Sequence, residues 1–151
     1  MDYLLTDEQK MIKDLAHKIA EDKIRPVAAK YDISEEYPWD VLKVMAESDM
    51  FGLFIPEEYG GFATSVFNLC LATEEFSRAC GGIAVCYAAS ALGTFPIVLF
   101  GNDEQKKKYL PDLAKGKKVA AFAITEPEAG SDASGIKTVA KKVGDHYILN
   151  G

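Results

Sequence analysis

Hydrophobic and polar positions follow two periods along this chain. Up to about residue 117 the apolar residues recur three and four apart, as on one face of a helix. Beyond it they gather into short runs separated by turn residues, as in strands. Thr6-Asp7-Glu8-Gln9 has capping-box spacing. Behind it Ile12, Leu15, Ala16, Ile19 and Ala20 mark one buried stripe, with Lys13, Asp14, Lys18 and Glu21 facing outward. Pro26 kinks or ends this helix, and Ile24, Val27, Ala28 and Tyr31 continue its apolar face. Ser34 to Pro38 predicts a loop. Trp39, Leu42, Val44, Met45 and Ala46 predict a second helix running out near Ser48-Asp49. Leu53-Phe54-Ile55 is a short buried segment, and Gly60-Gly61 a tight reversal.

Ser65 is placed to cap a helix from Val66 to about Ala79, with Glu74, Glu75 and Arg78 on its wet face and Gly81-Gly82 as its break. Ile83 to Leu92 is apolar nearly all round, the pattern of a helix at the centre of a bundle. Its Ala and Ser residues suit either tight helix packing or room for a slender ligand. Phe95 to Phe100 reads as a separate short segment. Asn102-Asp103-Glu104-Gln105 is a second capping pattern, Lys106 to Lys108 a solvated face, and Gly116 a helix-ending C′ residue. Val119 to Ile124, Thr138 to Val143 and His146 to Leu149 predict strands, the last two joined by a turn at Gly144-Asp145. The expectation is a mostly α chain: a helical domain over 1–117, then the first strands of a second domain over 118–151. So short a β-segment cannot build its own core, which reads as a truncated domain.

Composition narrows the function classes. A 48% hydrophobic and 26% charged chain of 151 residues suits one soluble domain or slightly more. A net charge of −6 without a basic face argues against a nucleic-acid partner. No apolar run reaches the ~20 residues of a bilayer span, and Met1-Asp2-Tyr3 opens no secretion signal. Cys70, Cys80 and Cys86 are odd in number and lie in apolar context. They read as core thiols of a reducing compartment rather than metal ligands or disulfides. His17 lies on a polar helix face with no carboxylate or cysteine motif beside it, and the adjacent Glu57 and Glu58 point apart in a Pro/Gly turn. Neither position reads as catalytic.

The stretch with the most chemistry is Ala123-Ile124-Thr125-Glu126-Pro127-Glu128-Ala129-Gly130-Ser131-Asp132-Ala133-Ser134-Gly135. Pro127 stops the apolar run before it. Its small residues let backbone approach a ligand, and N–H groups and hydroxyls in such a loop can grip phosphate or ring carbonyl oxygens. Composition alone favours a plain β-turn loop ending a strand, because Gly/Ser/Asp loops are common.

The order Ala-Ile-Thr-Glu-x-x-Ala-Gly-Ser-Asp-x-x-Gly resembles the flavin loop of the acyl-CoA dehydrogenases at every position that signature fixes. Three more blocks, in family order, are similar to the same family: Ile55-Pro56-Glu57-Glu58-Tyr59-Gly60-Gly61, the run Phe100 to Gly116, and Tyr147-Ile148-Leu149-Asn150-Gly151. The resemblance implies a helical bundle followed by the start of a β-barrel domain. It implies FAD as cofactor, with Phe122, Ala123, Ile124, Thr125, Gly130 and Ser131 as its contacts and Ser131 also toward the CoA side. In such enzymes an α-proton is abstracted from an acyl-CoA thioester and the β-hydride passes to flavin N5, giving a trans-2-enoyl-CoA. The family's glutamate base belongs to a C-terminal region, so no residue here is expected to be catalytic, no metal is expected, and the chain alone is expected to be inactive. The implied partners are an acyl-CoA substrate and an electron-transfer flavoprotein. A homotetramer is implied for the whole protein, and a bacterial cytoplasm rather than a mitochondrial matrix is expected. An acyl-CoA oxidase fragment and a non-catalytic helical interaction module are the alternatives. Glu126 and Asp132 would repel a diphosphate, so both are expected to hold loop N–H groups instead.

Overall fold

Helices dominate the described residues until Ala114, and an antiparallel hairpin follows near the end of the chain. The computed structural model describes residues 4–63 and 65–151. Met1, Asp2 and Tyr3, read above as no secretion signal, lie outside the described residues. The chain forms two compact units, Met1–Ala121 and Phe122–Gly151.

In the first unit, α1 spans Asp7–Ile19 and opens on the predicted capping box: Gln9 N–H donates to the Thr6 hydroxyl at 3.2 Å, and Gln9 Oε1 accepts from Thr6 N–H at 3.0 Å. Ile12, Ala16, Ile19 and Ala20 are buried, but Leu15 is 41% exposed and lies off the stripe. Ahead of Pro26 the helix widens into a π-turn, Ala20–Ile24, then tightens to a 3-10 turn, Arg25–Val27. The imide therefore redirects the chain without ending it, and α2 continues over Ala28–Ser34. After α3 (Trp39–Glu47), Asp49 at φ 57° turns the chain into the buried 3-10 segment Met50–Phe54.

Two further helices, α4 (Val66–Ala79) and α5 (Gly81–Phe100), meet at a break. It falls at Cys80, extended at φ −159°, and not at Gly81-Gly82, which are the first helical residues of α5. α5 runs unbroken through Pro96, so Phe95 to Phe100 is its last stretch rather than a separate segment. Its 20 residues hold no Asp, Glu, Lys or Arg, and an 18-residue window within it has a mean hydropathy of 2.0. By length and composition α5 could cross a membrane, contrary to the reading that no apolar run is long enough. Here it packs against α4, α6 (Asp103–Ala114) and the Met50–Phe54 turn. Nor is it buried all round: Ile83, Ala84, Tyr87, Ser90, Ala91 and Thr94 face the core, while Val85, Leu92 and Leu99 are more than half exposed.

Tyr87 is the hub of the core. Phe51, Phe54 and Phe76 meet its ring edge-on at centroid distances of 5.5, 5.9 and 5.2 Å. Its hydroxyl donates to the Met50 carbonyl at 2.8 Å. Burial pushes the phenol well above its ordinary range, so it stays a neutral donor.

The face of α4 read as wet is not all wet. Glu74 and Arg78 are exposed, but Glu75 is buried at 1%. His17 Nδ1 lies 2.9 Å from its carboxylate, Arg78 3.2 Å and Lys13 Nζ 3.7 Å. Lys13 and His17 of α1, with Arg78 of α4, surround it with partners, which is why a carboxylate is tolerated inside. Cys70 is also misread as a core thiol: it is exposed, and Cys80 and Cys86 are half-buried.

A second capping box, between Asn102 and Gln105, starts α6, and Gly116 at φ +60° follows its end. In the second unit β1 (Val139–Val143) pairs antiparallel with β2 (His146–Asn150) around the predicted Gly144-Asp145 turn. Val119 to Ile124 forms no strand, because no ladder partner lies beside it among the described residues.

Candidate functional site

The last residues of the first unit lead into the loop picked out above, and α5 fixes their path. Ser90 Oγ accepts the Ala120 N–H at 3.1 Å, and the Thr94 hydroxyl donates to the Ser90 carbonyl at 2.7 Å. A Cβ built on Gly93 would stand 2.8 Å from the backbone N, C and O of Ala121. One turn of small residues on α5 therefore seats backbone of the same chain. Sequence reasoning left that stripe open between helix packing and a ligand. The spacing Ser90, Gly93, Thr94, three and four apart on one face, was the available signal.

In the second unit Glu126 and Ala129 exchange backbone hydrogen bonds at 3.1 Å in both directions. Ala129 sits buried at 2% in the turn this makes. The three acids of the loop are turned on the loop itself. Glu126 accepts the N–H groups of Lys137 at 2.8 Å and Thr138 at 3.0 Å. Thr138 first, then the two backbone donors, hold its carboxyl below the ordinary glutamate range. Asp132 accepts from Ser134 N–H at 3.1 Å and from the Ser134 hydroxyl. Glu128 pairs with the Lys137 ammonium at the surface.

The residues expected to touch the cofactor are arranged the opposite way. The N–H groups of Thr125, Gly130 and Ser131, and the hydroxyls of Thr125 and Ser131, donate to no described residue. All three residues are exposed, as are Phe122, Ala123 and Ile124, with Phe122 at 43% and Ile124 at 42%. A Cβ placed on Gly130 would meet nothing within 4 Å. The loop thus offers free donors on an open side of the backbone while its negative charges are committed elsewhere. That fits a ligand carrying phosphate and ring carbonyl oxygens.

Two other features have the shape of a site. An open groove of 350 Å³ runs along α5 and is walled by Leu69, Val85, Ala88, Ala89, Leu92 and Phe95. Its lining is almost wholly apolar, suiting a hydrocarbon chain. The His17–Glu75 contact resembles a catalytic pair, but Glu75 is sealed from solvent and faces Lys13 and Arg78, so its geometry is that of an ion cluster between helices. Among the described residues no group of three or more His, Cys, Asp or Glu could hold a metal ion.

Residues 6–117 match the acyl-CoA dehydrogenase N-terminal domain. The chain is 45% identical to a 3-(aryl)acrylate reductase of Clostridium sporogenes, over 97% of this chain and 39% of the relative. It is 40% identical to a short-chain-specific acyl-CoA dehydrogenase of Clostridium acetobutylicum, over 100% of this chain and 40% of the relative. Among solved structures, an acyl-CoA dehydrogenase complexed with FAD from Bacillus anthracis superposes with a TM-score of 0.88 at 43% identity, covering 97% of this chain and 26% of the other. A chain from work on the electron transferring flavoprotein of Acidaminococcus fermentans and flavin-based electron bifurcation superposes at 0.93 and 41% identity, over 100% and 40%. The chain spans about 40% of the length of the curated relatives it matches. With its helical unit matched over residues 6–117 and its architecture shared with these structures, the chain belongs to the acyl-CoA dehydrogenase family.

Proposed function

We propose that this chain is the N-terminal part of an FAD-dependent acyl-CoA dehydrogenase, and that Phe122, Ala123, Ile124, Thr125, Gly130 and Ser131 hold the flavin. The observation that carries this reading is the division of labour in the loop: free N–H and hydroxyl donors at 125, 130 and 131, with Glu126 and Asp132 bound to backbone of their own unit. The relative from Bacillus anthracis, solved with FAD, supports it.

When bound, FAD supplies a two-electron acceptor for the β-hydride of an acyl-CoA thioester. The work of this chain is binding and orientation. Thr125 would offer its hydroxyl and N–H to the flavin ring, since preorganised donors favour the charge that reduction adds. Gly130, with open space where a Cβ would stand, would let the backbone approach the pyrophosphate, and Ser131 would donate toward the phosphates and the CoA side. Phe122 and Ile124 offer apolar area to the ring. The groove along α5 takes part of the acyl chain. No residue of 1–151 is assigned to proton abstraction. An electron-transfer flavoprotein is the proposed acceptor, and a homotetramer the proposed assembly of the whole protein.

The test is anaerobic addition of acyl-CoAs of graded chain length to the full-length protein. Bleaching of a visible flavin band, with trans-2-enoyl-CoA formed, is the expected result. Peroxide formation in air at a comparable rate would favour an oxidase. The likeness to the 3-(aryl)acrylate reductase favours a second reading, in which the same flavin site runs toward reduction. Re-oxidation of the reduced protein by an α,β-unsaturated acyl compound, with no bleaching by any saturated acyl-CoA, would select it.

A further inference from the structure

A loop that must hold a cofactor can be shaped by the cofactor or can be shaped beforehand. Here its two ends are tied by one side chain. Glu126 stands at the start, and its Oε2 and Oε1 accept the N–H groups of Lys137 and Thr138 just before β1, 11 and 12 residues on. Inside that closure are the Glu126–Ala129 backbone pair, Ala129 (among the described residues of the second unit, the one that is buried) and the Asp132–Ser134 turn. Short ends and self-packing are the marks of an Ω-loop.

We propose that Glu126 is the positioning residue of this loop. Its carboxylate closes residues 126–138 into a ring of backbone that holds Thr125, Gly130 and Ser131 in their donor arrangement before a ligand binds. The proposal rests on the flavin reading above. Glu126 touches no cofactor atom in this account; it acts through the backbone it ties down. A carboxylate is specifically required, because each of its oxygens faces an N–H. An amide of the same shape keeps one acceptor and turns an NH₂ group on the other donor. The neighbouring Glu128–Lys137 pair, with side chains 71% and 73% exposed, lacks this role.

The test uses the full-length protein, stripped of flavin and titrated with FAD, as wild type, Glu126→Gln and Glu128→Gln. Amide hydrogen exchange is followed in the apoprotein. Glu126→Gln is expected to weaken FAD binding about tenfold, as one unpaired donor in a binding loop commonly does. It should also shift the visible flavin band and release the Lys137 and Thr138 amides, which are protected in the wild-type apoprotein, without moving the melting of the helical unit. Glu128→Gln should match wild type in all of these. Wild-type affinity, band and amide protection in Glu126→Gln would overturn the proposal, as would an equal loss in Glu128→Gln. A wild-type protein that takes up no FAD would overturn the flavin reading itself, and amide exchange then decides the clamp alone.

Discussion

Glu75 shows how much one misplaced charge can decide. Its burial alone would raise its pKa, yet the His17 hydrogen bond and the charges of Arg78 and Lys13 outweigh that and leave it lowered. A carboxylate lowered on folding stabilises the native state above its unfolded pKa and loses that contribution as pH falls through the folded value. Glu75→Gln should therefore cost about 2 kcal/mol near neutral pH, the worth of a hydrogen bond to a charged group, with the gap to wild type closing as the pH drops below the ordinary carboxylate range. Urea unfolding at both ends of that range measures it. Gly93 makes a steric claim of the same size. Gly93→Ala puts a methyl 2.8 Å from Ala121 backbone that cannot rotate away. It should cost about 1–3 kcal/mol, and Ser90→Ala, which strands the Ala120 N–H, about 1 kcal/mol.

At the scale of elements, three helix starts invite comparison. Thr6 and Asn102 each make reciprocal capping bonds, whereas Ser65 holds the N-cap position of α4 with no capping bond from its side chain. Thr6→Ala and Asn102→Ala should each lose about 1 kcal/mol, and Ser65→Ala only a few tenths; thermal melts of the three variants check the order. Both reciprocal boxes, the hairpin turn and the Gly116 stop were legible in the sequence because each depends on neighbours within a few residues. The places where the reading failed depend on distant ones. Glu75 needs His17, 58 residues away, to be buried. Val119 to Ile124 needs a strand to pair with. Pro96 reads locally as a breaker, but the packing of α5 on α4 and α6 carries the helix past it. In the candidate site, the self-binding of Glu126 and Asp132 was legible from charge. Their partners, Lys137, Thr138 and Ser134, were not.

For the whole molecule, two units serve one proposed purpose. The helical unit, matched over residues 6–117, offers an apolar groove along α5 and steers the chain through Ala120 and Ala121. The second unit commits Glu126 and Asp132 to its own backbone and leaves the donors of Thr125, Gly130 and Ser131 free. Family membership covers this arrangement as far as residue 117, and the loop beyond it carries the functional claim. The most direct measurement is a titration of FAD into the full-length apoprotein, wild type against Thr125→Val, followed by flavin absorbance and fluorescence. The account predicts a stoichiometric, yellow wild-type complex and a clearly weaker one for the variant, whose side chain keeps its shape but lacks the hydroxyl. A wild-type protein that stays colourless at saturating FAD would contradict it.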